Sequence, residues 1–600
     1  MKWVVFDLET DGLLEYVPHL DNKIVSKIHC ACFEDHTGHS WSQVADEHGG
    51  CLDLIPENLD SYDYILGHNV QGYDIPVLQK FLPGWVPKAK VLDTQILSRM
   101  SWPEKELRAR DKALYKAQGE AYMPAPKSPT AKYPPLAGSY SLKAWGYRLG
   151  LLKGDFGETS DWSEYTIEML EYCHQDVSVT VKLWEAIQAR GHTMESMLIE
   201  GHLQDIFDRQ KKRGVTLDVE RTRSLYSDLA QRRSDLTQEL HGMHPGWTEE
   251  YETPVRKEKK TRFIPFNPNS NQQIARLLKE RYDWQPPEYT PSGQAKLDEK
   301  VFESIKEYPE AELLLRAAQL KKAIGTLGDG SHSYLNSVKD DGRIHGTVFA
   351  TGTATGRTAH RNPDLNVPKK GKPFASEFRE LFVASPDLTL VGADASGLEL
   401  RCLAHYLARF DGGRYTRQLL EGDIHTDNQK AAGLETRDLS KKFIYAFLYG
   451  GGDGLIGDIV GGDSKAGREL KRRFTTKTRG LGQLLEGVKA KAKEQKWLRS
   501  ILGRRMDIRA VHSALNMLLQ GCGADVMKVA TTLMDDKIKG LDVWQVLHKH
   551  DEYQFECAPE LAEQVGEWAV ESIREAGDYL KMRCPLDGEY KIGSSWAVTH

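Results

Sequence analysis

The feature that most constrains this chain is a pair of carboxylates at the end of an apolar strand. Residues 2–8 alternate as a half-buried strand and run into Asp7-Leu-Glu9. Strand residues i and i+2 share a face, so the two carboxylates project together. Burying them unpaired is costly, and a divalent cation between them removes that cost. Two later stretches supply further ligands. GHN at 67–69 leads to Tyr73-Asp74, and YCHQD at 172–176 lies in a segment of helical apolar spacing (Tyr165, Met169, Tyr172, Val177, Leu183). Tyr172 and Asp176, four residues apart, share a helix face. Asp7, Glu9, Asp74 and Asp176 are therefore candidate metal ligands, and the Tyr172 phenol is placed to orient a water. Two metals about 3.5–4 Å apart are the usual arrangement for phosphodiester hydrolysis. His174 faces elsewhere and reads as a packing or surface residue.

Composition narrows the classes. With 40% apolar and 28% charged residues the chain is globular, and it has no apolar run of membrane-spanning length. Acidic residues stand where a signal peptide would be apolar, and eight cysteines are too few for a disulfide framework. A cytoplasmic location is expected, with Cys30 and Cys32 as strand residues. The net charge of −6 hides an asymmetry: residues 1–200 hold 19 Lys/Arg against 29 Asp/Glu, and residues 201–600 hold 61 against 57. An acidic module precedes a mildly basic one, which fits a nucleic-acid partner for the second.

Further strands are expected at 24–33, 62–70 and 90–96, with an irregular, proline-bearing excursion at 101–135. Residues 196–330 read as helices interrupted by a tract at 242–268 that contains RKEKK at 256–260. The segments 344–357 and 378–399 alternate as sheet. Helices return from 399 to 537, and a strand–turn–strand unit surrounds 546–557.

Three features of the second half share one chemistry. A strand at 388–394 ends in Asp394 and turns into a helix at Glu399. A short hairpin carries His550-Asp551-Glu552 at its tip. Arg437, Lys441, Tyr445 and Tyr449 stride along one helix face at intervals of four, two cations followed by two aromatics, before the glycines at 450–452. Two aspartates at strand ends can hold two Mg²⁺ ions, and a cationic helix face suits a triphosphate.

The first-half motifs DLET, HN with YD, and YCHQD resemble those of DEDD-type 3′–5′ exonucleases in the tyrosine form. DASGLELR (394–401), RDLSKKFIYAFLYG (437–450) and HDE (550–552) resemble the three motifs of family A DNA polymerases. GDIHT (422–426), GYRLG (146–150) and WAVTH (596–600) are similar to the replicative enzymes of short-tailed phages. The fold implied is a multidomain α/β chain. An RNase H-like DEDD exonuclease domain precedes a right-hand polymerase domain with an antiparallel palm sheet and helical thumb and fingers.

On that resemblance, residues 1–190 are the exonuclease domain and 191–340 the thumb. Residues 341–410 and 541–600 are the two parts of the palm, and 411–540 hold the fingers and flanking helices. The resemblance implies two Mg²⁺ ions at Asp7, Glu9, Asp74 and Asp176, with water aligned by Tyr172. It implies two more at Asp394, Asp551 and the Ala395 carbonyl, with Glu552 in support. Arg437, Lys441 and His425 grip the dNTP triphosphate, Tyr445 stacks at sugar and base, and Glu399 is a steric gate against a 2′-hydroxyl. Arg357, His512, Asn516, Gln520 and Tyr449 meet DNA. Further phosphate contacts are expected from the basic runs 211–213, 256–260, 369–372 and 468–473, with steep salt dependence.

Two departures stand out. NPDLNVPKK (362–370) replaces a PNLQNIP-like stretch, and the 242–268 tract is too short for the large thumb insert that binds thioredoxin in related phage enzymes. Thioredoxin is therefore not expected as a partner. Primer–template DNA and a phage helicase–primase are, with the chain as a monomer and no 5′-nuclease. A cellular or organellar gap-filling repair polymerase with proofreading is the competing role.

Overall fold

The computed structural model describes residues 1–15, 23–45, 53–126, 132–151, 161–252, 258–290, 293–365, 367–368 and 370–600. The first module is built on five strands: β1 (Trp3–Thr10), β2 (Ile28–Asp35), β3 (Ser40–Val44), β4 (Tyr64–Gly67) and β5 (Lys90–Asp93). Their order is β3-β2-β1-β4-β5. β1 runs antiparallel to β2 and parallel to β4, and the register slips between Glu9 and Thr10. β1 is central, so Val4, Val5, Phe6 and Leu8 are all buried. The Ile167–Gln188 helix, capped by Thr166, buries Cys173, Val177 and Trp184 in the core cluster that also holds Val5, Cys30 and Cys32.

The 101–135 tract is not an irregular excursion. Pro103 sits at an N-cap, and residues Glu104–Gln118, which lack proline, form a helix. It ties the first module to the second: Arg361 pairs with Glu104, and Arg509 Nε meets Glu106 at 2.6 Å. Residues 127–131 lie outside the described residues.

The second module is organised around an antiparallel sheet of β6 (Thr389–Ala395), β7 (Val543–Lys549), β8 (Glu552–Cys557) and β9 (Gly588–Gly593), ordered β7-β8-β6-β9. Helices between 398 and 538 separate β6 from β7 in sequence. One of them, Ala514–Ile538, is buried along almost its whole length, which makes it the spine of the largest core cluster. The helices Val219–Met243 and Ala311–Ile324 form a separate core with Leu229, Leu240, Leu314 and Ala317. The tract at 242–268 is a β-hairpin, Gly246–Glu252 paired with Lys259–Pro265. Trp247 alone is buried in its first strand, so apolar alternation could not reveal it. Residues 253–257, including part of the basic run, lie outside the described residues.

Two other expectations differ. The segment 378–399 begins in a short helix, Ala375–Arg379, rather than in sheet. The Met194–Arg213 helix does not join the core of the Val219–Met243 and Ala311–Ile324 helices. Its Leu203 and Phe207 pack on Val348 and Ala350, and Glu200 pairs with Lys528 of the spine helix at 2.5 Å. Among the described residues, no helix is long and apolar enough to cross a membrane.

Candidate active sites

The first site forms where β1 ends. Asp7 and Glu9 occupy alternate positions, and the Leu8 N–H between them donates to Asp74 Oδ1 at 3.1 Å. Asp74 opens the Asp74–Phe81 helix and is buried. Burial pushes its carboxyl up, and the charges of Asp93 and Asp176 push it further. Asp176 reaches the same place from the Ile167–Gln188 helix. Asp176 is near enough for its charge to act on Asp74, and Asp74 is bonded to the strand between Asp7 and Glu9. A cavity of about 470 Å³ opens beside Glu9, lined also by Thr10, Leu13, Tyr73 and Trp162. Tyr172 packs edge-on against Trp162, with ring centroids 6.0 Å apart.

Three contributors are not among the site residues that the sequence singles out. Cys173 lies with Asp7 and Glu9 in a group whose ligand atoms are all within 4.8 Å of one another. Trp162 is anchored by His29 Nε2, which donates to its carbonyl at 2.9 Å. Asp93 accepts backbone N–H bonds from Asn69, Gln71, Gln95 and Ile96, and so shapes the turn that delivers Asp74. Burial raises the Asp93 carboxyl to about 6.

The second site lies at the adjacent ends of β6 and β8. Asp394 pairs in register with Glu552, and the Ala395 N–H donates to the Asp551 carbonyl at 3.0 Å. His550 and Asp551 form the two-residue turn between Lys549 and Glu552, and His550 takes φ 60°, the positive value that primed hairpin turns need at this position. Desolvation by the cleft walls, followed by the charges of Asp551 and Glu552, pushes the Asp394 carboxyl up to about 8. Burial and the charge of Glu399 raise Asp551 to about 6. Glu552 behaves oppositely. Burial alone would raise it, but bonds from His600, Gln554 and Trp596 hold it below the usual carboxylate range.

One small cavity gathers Arg357, Glu399, Gln520, His550 and Asp551 from four separate segments. Tyr449 donates to Glu399 Oε1, and Arg357 Nη2 lies 3.4 Å from the same oxygen. The Arg437–Leu448 helix carries Arg437, Lys441 and Tyr445, with Thr436 as its cap. Tyr445 and Tyr449 stack at 6.5 Å. Asn516 is partly committed elsewhere, since its amide donates to the Leu448 carbonyl at 2.8 Å. His512 sits in the 3-10 turn Val511–Ser513, one turn ahead of the helix bearing Asn516 and Gln520.

A family model described as DNA polymerase family A matches residues 237–598. The chain is 31% identical to the DNA-directed DNA polymerase of Escherichia phage T7 and 30% identical to that of Enterobacteria phage T3, each over the full length of both proteins. This chain belongs to DNA polymerase family A. A DNA polymerase I of Aquifex aeolicus is 26% identical over 73% of this chain and 78% of its own length. A solved structure, the POL domain of Pol1 from M. smegmatis in complex with primer-template and dNTP, superposes with a TM-score of 0.72 at 20% identity, covering 99% of this chain and 96% of that one.

Within this family A polymerase, two of the basic runs carry ion pairs to the protein's own carboxylates. Arg213 bonds Glu556 at 2.6 Å, Arg468 and Lys471 pair with Asp453, and Arg472 pairs with Glu469. Arg468 and Arg472 remain largely exposed, and surface pairs of this kind are weak, so the pairing leaves their donors within reach of a phosphate. Glu556 and Asp453 lie well outside the runs they neutralise, so the charge runs alone did not reveal them. Lys369 lies outside the described residues.

Proposed function

We propose that this family A polymerase is a replicative, template-directed DNA polymerase that also carries a 3′–5′ proofreading exonuclease on its RNase H-like first module. The observation that carries the reading is the pairing of β6 with β8, which sets Asp394 beside Asp551. Asp394, Asp551 and the Ala395 carbonyl are an all-oxygen donor set, which suits Mg²⁺. Carboxyls pushed up to about 8 and 6 by burial and by neighbouring carboxylates are relieved by dications. Two Mg²⁺ ions bound there would lower the pKa of a primer 3′-hydroxyl and hold the transferring phosphate. The reaction joins the primer 3′-oxygen to the α-phosphorus of a dNTP and releases pyrophosphate. Arg437, Lys441 and His425 bind the triphosphate, Tyr445 packs at sugar and base, and Glu399 fills the space a 2′-hydroxyl would need. Arg357, Gln520, Tyr449, His512 and Asn516 face primer–template.

A mispaired end frays and enters the cavity beside Glu9, where Asp7, Glu9, Asp74 and Asp176 would hold two further Mg²⁺ ions to activate a water that Tyr172 orients. The thin hairpin at Gly246–Glu252 and Lys259–Pro265 supports a polymerase that works without thioredoxin, and a tight complex measured by calorimetry with the host protein would contradict this. The decisive experiment pairs two variants. Asp551→Ala should abolish primer extension and spare excision of a mismatched 3′ end, and Asp7→Ala should do the reverse. Loss of both activities in both variants would overturn the two-site assignment. Single-encounter extension with a DNA trap then tests the replicative role: products of only a few nucleotides would favour gap filling.

A further inference from the structure

We propose that Asp423 is a positioning residue for the incoming triphosphate, one carboxylate that sets the starts of the two helices bearing His425 and Arg437. The proposal rests on the reading of His425 and Arg437 as triphosphate ligands.

Asp423 caps the Ile424–Ala432 helix. Its Oδ1 accepts from the N–H of His425 at 3.1 Å and of Thr426 at 3.4 Å, and its Oδ2 accepts from the Thr426 hydroxyl at 2.8 Å. These bonds hold the carboxylate in one orientation. The same two oxygens take Arg437 side-on, with Nε 2.8 Å from Oδ2 and Nη2 3.3 Å from Oδ1. Arg437 is the first residue of the next helix. A single acidic group thus spans the N-termini of two helices and fixes a side chain on each.

The side-on grip decides what remains available. A guanidinium has five N–H donors in a rigid fork. Nε and one Nη2 hydrogen are used by Asp423, which leaves both Nη1 hydrogens and the second Nη2 hydrogen for an anion. Unrestrained arginine loses considerable rotamer freedom on binding, and Asp423 settles that cost before the nucleotide arrives. The hydrogen bond from Arg437 holds the Asp423 carboxyl well below the usual range, so the pair is ionised at working pH.

The opposite role for the same pair is a carboxylate that competes with phosphate for Arg437, whose removal would tighten nucleotide binding. The two roles differ in sign. Asp423→Asn keeps an oxygen for the helix cap and turns an amide toward the guanidinium. In single-nucleotide incorporation it should raise the dNTP KM roughly three- to fivefold, the worth of one well-formed exposed ion pair. kcat and primer–template affinity should stay unchanged. In an Arg437→Ala background the same substitution should add nothing, because the two effects share one route. Asp423→Ala also loses the cap, and its melting temperature against that of Asp423→Asn separates folding from positioning. An unchanged or lowered KM in Asp423→Asn, with Arg437→Ala raising KM, overturns the positioning role alone. An unchanged KM in Arg437→Ala overturns it together with the triphosphate assignment beneath it.

Discussion

Glu552 is turned onto His600: its Oε2 lies 2.8 Å from the imidazole Nδ1. Its other oxygen accepts from Gln554 at 2.7 Å and from the Trp596 indole at 2.6 Å. Both oxygens of this buried carboxylate are therefore engaged by the protein. These bonds tie Glu552 to its own strand and to the C-terminal Trp596 and His600, and a ligand role would require it to give them up.

Trp596→Phe tests that arrangement. It removes one donor to a buried charge while keeping an aromatic ring, at a cost of about 1.5–3 kcal/mol. Urea denaturation should show the loss at pH 7 and a smaller one in acid. The folded pKa of Glu552 is depressed, so its stabilisation is present above the unfolded value and is lost as pH falls through the folded one.

What was legible in the sequence was local. Asp7 and Glu9 stand out because charges interrupt an apolar strand, and the Arg437–Tyr449 stride because helical period is a short-range property. What was hidden depends on packing between distant segments. Cys173 follows Tyr172 directly, yet its thiol reaches the Asp7 carbonyl at 3.4 Å only because the helix crosses β1. Asp93 looks like an ordinary helix cap, and its bonds to the turn before Asp74 arise only once β4 and β5 pair. Prolines around 103–135 pointed to a loop, although the fifteen residues of Glu104–Gln118 between them had helical composition.

Arg148 and Asp111 form a fully enclosed ion pair, with Nη2 2.8 Å from Oδ2, and Asp111 also accepts from Tyr122 and the Gly138 N–H. Arg148→Met should cost about 3–5 kcal/mol, because it strands a buried carboxylate. Adding Asp111→Leu should recover much of that loss. Calorimetric unfolding of the two variants checks both statements.

Glu399 should control sugar selection through volume and through Tyr449. Its substitution by alanine opens the space that a 2′-hydroxyl would need and releases the Tyr449 hydroxyl. Discrimination between dNTP and rNTP, read as the ratio of kcat/KM values, should fall by roughly 10–200-fold, the range that small steric differences in a pocket can supply.

The raised carboxyls at Asp394 and Asp551 make a prediction about pH. A group whose folded pKa exceeds its unfolded one stabilises the fold fully below the unfolded value, and that contribution is lost as pH rises through the folded value. With folded values of about 8 and 6 against an unfolded value near 3.9 for aspartate, protein in EDTA should lose stability steadily between about pH 4 and pH 8. Mg²⁺ binds the ionised forms, so it should restore most of the loss at pH 8 and little at pH 5. Binding at pH 7 should release protons, measurable by titration calorimetry in buffers of different ionisation enthalpy. Asp394→Asn should flatten the EDTA profile at its alkaline end and weaken the Mg²⁺ response. A profile unchanged by that substitution would place the alkaline sensitivity elsewhere, with Asp74 the next group to replace, since burial raises it in the same direction.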